Sequence, residues 1–222
     1  MLNLKKSNGI IFGASGLIGS KLAHEMSLLG SRLILHGKSK KKLLEIDNNL
    51  RKKGIKQIFL HGEITKPKFF SELSSLVLSR FDKLDFVFNL ICKFDRLSPL
   101  THFSHVEWNN LIEININSHW RIIKELEPLL KKTKNSKVIF LNNNSISRGK
   151  AYHNILSISK SAVESLAKVY AQENKKLNLD IKLIEVPSLS GGITSKISNS
   201  GFKEKRVDET IKKIIEESFL NK

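Results

Sequence analysis

Short runs with almost no polar interruption punctuate the chain: Ile10-Ile11-Phe12, Leu33-Ile34-Leu35, Phe86-Val87-Phe88 and Val138-Ile139-Phe140-Leu141. Such runs read as strands covered on both faces, because a strand wet on one side alternates apolar with polar residues. Between them apolar residues recur every three or four positions, the spacing of one helix face. Leu22, Ala23, Met26 and Leu29 form the first such stripe, and Leu43, Leu44, Ile46 and Leu50 the second, over 40–53. Further helical patterns cover 69–81, 106–132, 156–177 and 207–219, with Pro128 expected to kink or weaken the last turns of the second of these. The predicted strands are 10–12, 32–36, 55–60, 85–91, 137–141 and 181–186. Strand and helix alternate from 1 to 222 without linker, repeat or composition break, which predicts a single α/β domain, a doubly wound parallel sheet of about six strands.

Ligands of such sheets bind beyond the carboxyl ends of the strands. Candidate residues therefore lie in the loops after positions 12, 36, 60, 89, 141 and 186. The first loop carries Gly13, Gly16 and Gly19 between a strand and a helix. Glycine is required there because a side chain would block both the turn and the approach of a phosphate to the backbone. The helix that starts at the same point offers free N–H groups and the positive end of its dipole to a dinucleotide's pyrophosphate. Ser15 and Ile18 lie in the same turn and are counted with it as cofactor contacts. This is a Rossmann-type arrangement, so the sheet is expected to hold a dinucleotide.

The second strand ends in His36-Gly37-Lys38, with no carboxylate before Glu45. In dinucleotide sites an acidic residue about 20 positions beyond the glycines takes the ribose 2′-hydroxyl, whereas a basic one accommodates a 2′-phosphate. NADP(H) is therefore expected over NAD(H), with Lys38 as the phosphate contact.

Charge and composition narrow the remaining classes. The formal net charge is +17 and the pI about 9.9. The cations are mostly lysines spread along the whole chain, so a dedicated nucleic-acid partner is not expected. The densest cluster, at Lys38 and Lys40 to Lys42, falls beside the expected cofactor phosphate. No run approaches the ~18–20 apolar residues of a membrane span, and the polar first residues do not resemble a signal peptide. One cysteine, Cys92, allows no internal disulfide and suits a reducing compartment, so a cytoplasmic protein is expected. His102 and His105 lack companions at ligand spacing, and no metal is expected.

In this frame the chain resembles the short-chain dehydrogenase/reductase family over almost its whole length. The Gly13, Gly16 and Gly19 turn is similar to the family's first motif in its G-x-x-G-x-x-G form. Glu63-Ile64 stands where the family has an Asp-Val that touches the adenine, and Asn89 matches the first residue of Asn-Asn-Ala-Gly. Asn115 falls on the helix asparagine of the catalytic tetrad. Ser159-Lys160-Ser161-Ala162-Val163 is similar to Ser-Lys-Ala-Ala-Val, so the resemblance implies that Lys160 is the catalytic lysine and holds the nicotinamide ribose. Pro187-Ser188 replaces the Pro-Gly after the sixth strand, and Thr194 corresponds to the threonine that follows. The resemblance implies a hydride transfer between NADP(H) and a small-molecule carbonyl or alcohol.

The departures bear on chemistry. The family's active site is Tyr-x-x-x-Lys, and the residue four before Lys160 is Leu156. A phenol with a resting pKa near 10, lowered by a lysine cation, exchanges a proton with the substrate oxygen; leucine cannot. Loss of such an acid/base costs ~10²–10⁴-fold in rate and leaves hydride alignment intact. The serine of the tetrad is either Ser145, the favoured choice, or Asn143, which counts correctly from position 156. Tyr152 and His153 are the other proton donors nearby, although a side chain at 152 leans away from Lys160. The chain stops where many relatives add a seventh strand, so assembly is expected through the helices at 106–132 and 156–177, as a homodimer. The small-residue stretch 188–194 is a candidate substrate lid. Two functions follow: a reductase with damaged proton transfer, or a non-catalytic NADP(H)-binding module.

Overall fold

The computed structural model describes residues 4–189 and 204–220. Thr194 and most of the candidate lid lie outside them. The chain runs β1 (Asn8–Phe12), α1 (Leu17–Leu28), β2 (Arg32–Gly37), α2 (Lys40–Arg51), β3 (Ile58–His61), α3 (Pro67–Leu78) and β4 (Phe86–Asn89). It continues through α4 (His105–Ile112), a π-helical segment (Glu113–Asn117), α5 (Ser118–Lys132), β5 (Ser136–Asn142), α6 (Asn144–Ser147), α7 (Asn154–Glu173), β6 (Leu179–Glu185) and α8 (Glu204–Phe219). The strands form one sheet in the order β3-β2-β1-β4-β5-β6, every neighbouring pair parallel.

The uninterrupted apolar runs have a direct cause. Alternate residues of one strand feed two separate cores, because successive side chains point to opposite faces. Ile10, Phe12, Ile34, Val87, Val138 and Phe140 pack under α3, α5 and α7. Ile11, Leu33, Leu35, Phe88, Ile139 and Leu141 pack under α1, α2 and α8. Burial of both faces is what a parallel sheet with crossover helices requires.

Several boundaries differ from the pattern-based expectation, each for a local reason. The third strand starts at Ile58 rather than 55 because the Gln57 side chain takes over the pairing: Leu33 N–H donates to Gln57 Oε1 at 2.7 Å and Gln57 Nε2 donates to Ser31 O at 2.8 Å. The fourth strand stops at Asn89: Leu90 N–H makes the last bond to β1, at Phe12 O, and the chain then leaves the sheet. The helix at 106–132 is interrupted at Glu113–Asn117 and not at Pro128, and α5 runs on to Lys132. Leu126, Leu129 and Leu130 are buried and hold those turns, while Pro128 and Lys124, whose carbonyl loses its donor, are exposed to solvent. Helix α7 begins at Asn154, whose side chain donates to Arg96 O and Tyr152 O and so ties its first turn to the loop after β4.

Candidate cofactor cleft and active site

A cleft of about 770 Å³ crosses the carboxyl ends of the strands. At one end stands the glycine turn. Gly13 has φ +85°, and a Cβ there would lie 3.1 Å from Leu90 O. At Gly19 a Cβ would sit 2.2 Å from Gly13 O, so α1 reaches the turn only because nothing projects from that position. Gly16 N–H donates to Gly13 O at 2.9 Å, and Gly16 is the N-cap of α1 without a side-chain cap or an acidic residue in the first turn. The first N–H groups of α1 are thus left to an anion, as P-loop-like turns leave theirs.

All the residues singled out as cofactor contacts line this cleft: the turn residues Gly13, Ser15, Gly16, Ile18 and Gly19, then Lys38, Glu63, Ile64 and Asn89, and at the far end Lys160 and Pro187. Asn89 is 1 % exposed, and neither its amide oxygen nor its amide nitrogen has a partner. A buried amide with both groups unsatisfied is costly unless a ligand or water completes it. The uncapped α1, held close to the Gly13 turn by Gly19, and the unsatisfied Asn89 fit a dinucleotide. Across the β2 and β3 ends, Lys38 Nζ pairs with Glu63 Oε1 at 2.9 Å, and this partner holds the Glu63 carboxyl below its usual range. Beside them His36 Nε2 lies 3.2 Å from Gly62 O and therefore carries the proton of the neutral ring. Burial lowers its pKa to about 4.

The other end of the cleft is built differently. Lys160 Nζ donates to Leu141 O at 3.0 Å. One turn back, Leu156 is 1 % exposed and packs with Phe94, Ile146 and the partly buried Cys92. An apolar cluster thus occupies the place where the family resemblance implies a phenol.

Asn115 lies in the π-helical segment, and both ends of its amide are engaged: Oδ1 accepts from Lys93 N–H at 2.6 Å and Nδ2 donates to Lys93 O at 2.7 Å. It clamps the loop after β4 and does not itself line the cleft, although its neighbours Lys93 and Ile114 do. Of the two tetrad candidates after β5, Asn143 is on the cleft wall. Ser145 opens instead on an adjacent hollow of about 700 Å³ with Arg206 and Lys213, and its hydroxyl donates to Asn143 Oδ1 at 2.6 Å. Asn143 thus lines the cleft, whereas Ser145 does not and bonds the Asn143 amide from the side of the hollow. Asn143 Nδ2 points to Ser188 Oγ at 3.1 Å. Tyr152 is 62 % exposed with φ +65°, and His153 is buried with Nδ1 on Ala151 O; neither lines the cleft.

His119 is the residue that sequence reasoning missed. It lines the cleft, 3 % exposed, with Nε2 3.0 Å from Ile91 O and Nδ1 without a partner. Burial and the Lys160 cation lower its pKa to about 3, so the ring is neutral. Its separation of four from Asn115 was the available signal, masked by the π-helical segment between them. Cys92, also on the wall, has its thiol pKa raised by burial.

A family model described as short chain dehydrogenase matches residues 8–202. An uncharacterized oxidoreductase of Listeria monocytogenes is 27 % identical over 187 residues, which cover 83 % of this chain and 74 % of that protein. Among solved structures, a short chain dehydrogenase from Escherichia coli complexed with NADPH superposes with a TM-score of 0.85 at 20 % identity, covering 96 % of this chain and 91 % of that one. The oxidoreductase YciK from Escherichia coli gives 0.83 at 20 % identity, covering 96 % and 89 %.

Proposed function

We propose that this chain, which belongs to the short chain dehydrogenase family, is an NADP(H)-dependent oxidoreductase acting on a carbonyl or alcohol of a small molecule. The observation that carries this reading is one continuous cleft from the Gly13 turn to Lys160, with every expected cofactor residue on its wall. The cofactor supplies or accepts the hydride. The chain's own residues do the rest. The N–H groups at the start of α1 bind the pyrophosphate, and Asn89 hydrogen-bonds the adenosine half with its free amide. Lys38, aided by Lys42, takes the 2′-phosphate; the NADPH held by the Escherichia coli neighbour supports that choice. Lys160 keeps two ammonium protons beyond the one given to Leu141 O, for the nicotinamide ribose and the substrate oxygen. Asn143 orients the carbonyl.

With Leu156 in place of a phenol, the proton that accompanies hydride reaches the oxygen from Lys160 or from water. Turnover is then slower by ~10²–10⁴-fold than with a positioned phenol. The test is NADPH oxidation against a panel of carbonyl compounds, with Lys160→Ala as control. Slow turnover that the substitution abolishes is the expected result. Tight NADPH binding with no turnover on any carbonyl would instead establish the second reading, a non-catalytic NADP(H)-binding module. The packing of Leu156 on Phe94 and Ile146 favours that alternative, since it closes the proton-transfer position with apolar atoms. In either reading a homodimer through the helices at 106–132 and 156–177 would cover Val106, Trp120 and Val169, which stand exposed.

A further inference from the structure

Among the described residues lining the cleft, Glu63 is the one carboxylate, against the four cations Lys38, Lys42, Lys93 and Lys160. It does not sit at random. Its Oε1 is 2.9 Å from the Nζ of Lys38, the lysine nearest the expected 2′-phosphate, with the two side chains 45 % and 77 % exposed. The loops that carry them are tied together by His61, whose Nε2 lies 3.1 Å from Lys38 O. Around the pair the local charge runs against helix electrostatics. Helix α2 opens on Lys40, Lys41 and Lys42 with no acidic residue in its first turn, placing three cations at the positive end of its dipole. That arrangement suits an incoming anion. A carboxylate in its midst does not, and an exposed ion pair contributes too little to stability to explain it.

We infer that Glu63 is a specificity-determining residue: it competes with the 2′-phosphate for Lys38 and narrows the preference for NADP(H) over NAD(H). The inference rests on the dinucleotide reading above. A dianionic phosphate must break the Lys38–Glu63 pair and lie near a like charge. The uncharged 2′-hydroxyl of NAD(H) meets no such repulsion and donates a hydrogen bond to a carboxylate. This differs from a contact with adenine, which both nucleotides share and which would not separate them.

The experiment is calorimetric titration of the full chain with NADPH and with NADH, for the wild type, Glu63→Gln, Lys38→Ala and the double variant. Glu63→Gln is expected to tighten NADPH by about threefold or more while leaving NADH unchanged or weaker. The gain should vanish in the Lys38→Ala background and shrink at high salt, where exposed charges are screened. Glu63→Gln weakening both nucleotides alike, or leaving their ratio unchanged, overturns the inference while the dinucleotide reading stands. If the wild type binds neither nucleotide at millimolar concentration, the dinucleotide reading itself fails.

Discussion

At the glycine-turn end of the cleft the chain presents backbone amides and closely packed glycines, whereas at the Lys160 end it presents side chains, and there Leu156 stands where the family resemblance implies a phenol. The Gly13–Gly19 turn keeps its geometry because Gly19 Cβ would collide with the Gly13 carbonyl, a contact no rotamer change relieves. Leu156, by contrast, has the neighbours Phe94 and Ile146, which surround it as ordinary core. Backbone sites tolerate little because they are part of the fold. Side-chain sites can be lost one function at a time while the fold persists.

The sharpest way to break this contrast is Gly19→Ala. The added methyl should force α1 away from the turn, abolish detectable NADPH binding and lower stability by about 1–3 kcal/mol, the usual cost of overpacking. Calorimetry and thermal melting check it, and wild-type NADPH affinity in this variant would show that the nucleotide end is as adaptable as the other.

Acid probes both ends together, since each holds one buried neutral histidine. The pKa values of His36 and His119 are lowered to about 4 and about 3 from an ordinary 6.5. The unfolded chain therefore binds more protons than the native one between these values and 6.5. Stability is complete above pH 6.5 and falls as the pH drops toward the native values. Going from pH 7 to 5 should cost about 2 kcal/mol for each ring. Urea midpoints at the two pH values measure the sum, and His119→Gln should remove about half of the difference.

Leu156→Tyr sharpens the comparison from the substrate side. With Lys160 one turn away, the new phenol should raise NADPH-dependent turnover about tenfold or more, at a stability cost of ~1–3 kcal/mol because Phe94 and Ile146 must yield. A variant that folds, binds NADPH and turns over no faster would show that the apolar cluster, and not the missing hydroxyl alone, limits the chemistry.

The glycine-turn end of the cleft was legible in the sequence, because its residues lie close together in the chain. Gly13, Gly16 and Gly19 span a single strand-turn-helix unit, and Lys38 follows directly from the second strand. One boundary that shifted was governed by a side chain reaching across sequence, Gln57 pairing with Leu33 and Ser31. The choice between Asn143 and Ser145 was not legible. Both follow β5 within a few residues, and only the fold at the short helix α6 puts Asn143 on the walls of both the cleft and the hollow beside it while Ser145 lines the hollow alone. Asn115 was singled out by its position, yet its grip on the Lys93 backbone depends on a segment 22 residues away.

Taken by itself, then, the order of residues determined the parallel sheet, its two-sided burial and the glycine turn, because periodicity and steric exclusion act between near neighbours. The burial of His119, the closing of Leu156 under Phe94 and Ile146, and the pairing of Lys38 with Glu63 were decided only when distant segments met. Desolvation and ion pairing depend on what surrounds a group in space, and that neighbourhood is not written in its own stretch of chain.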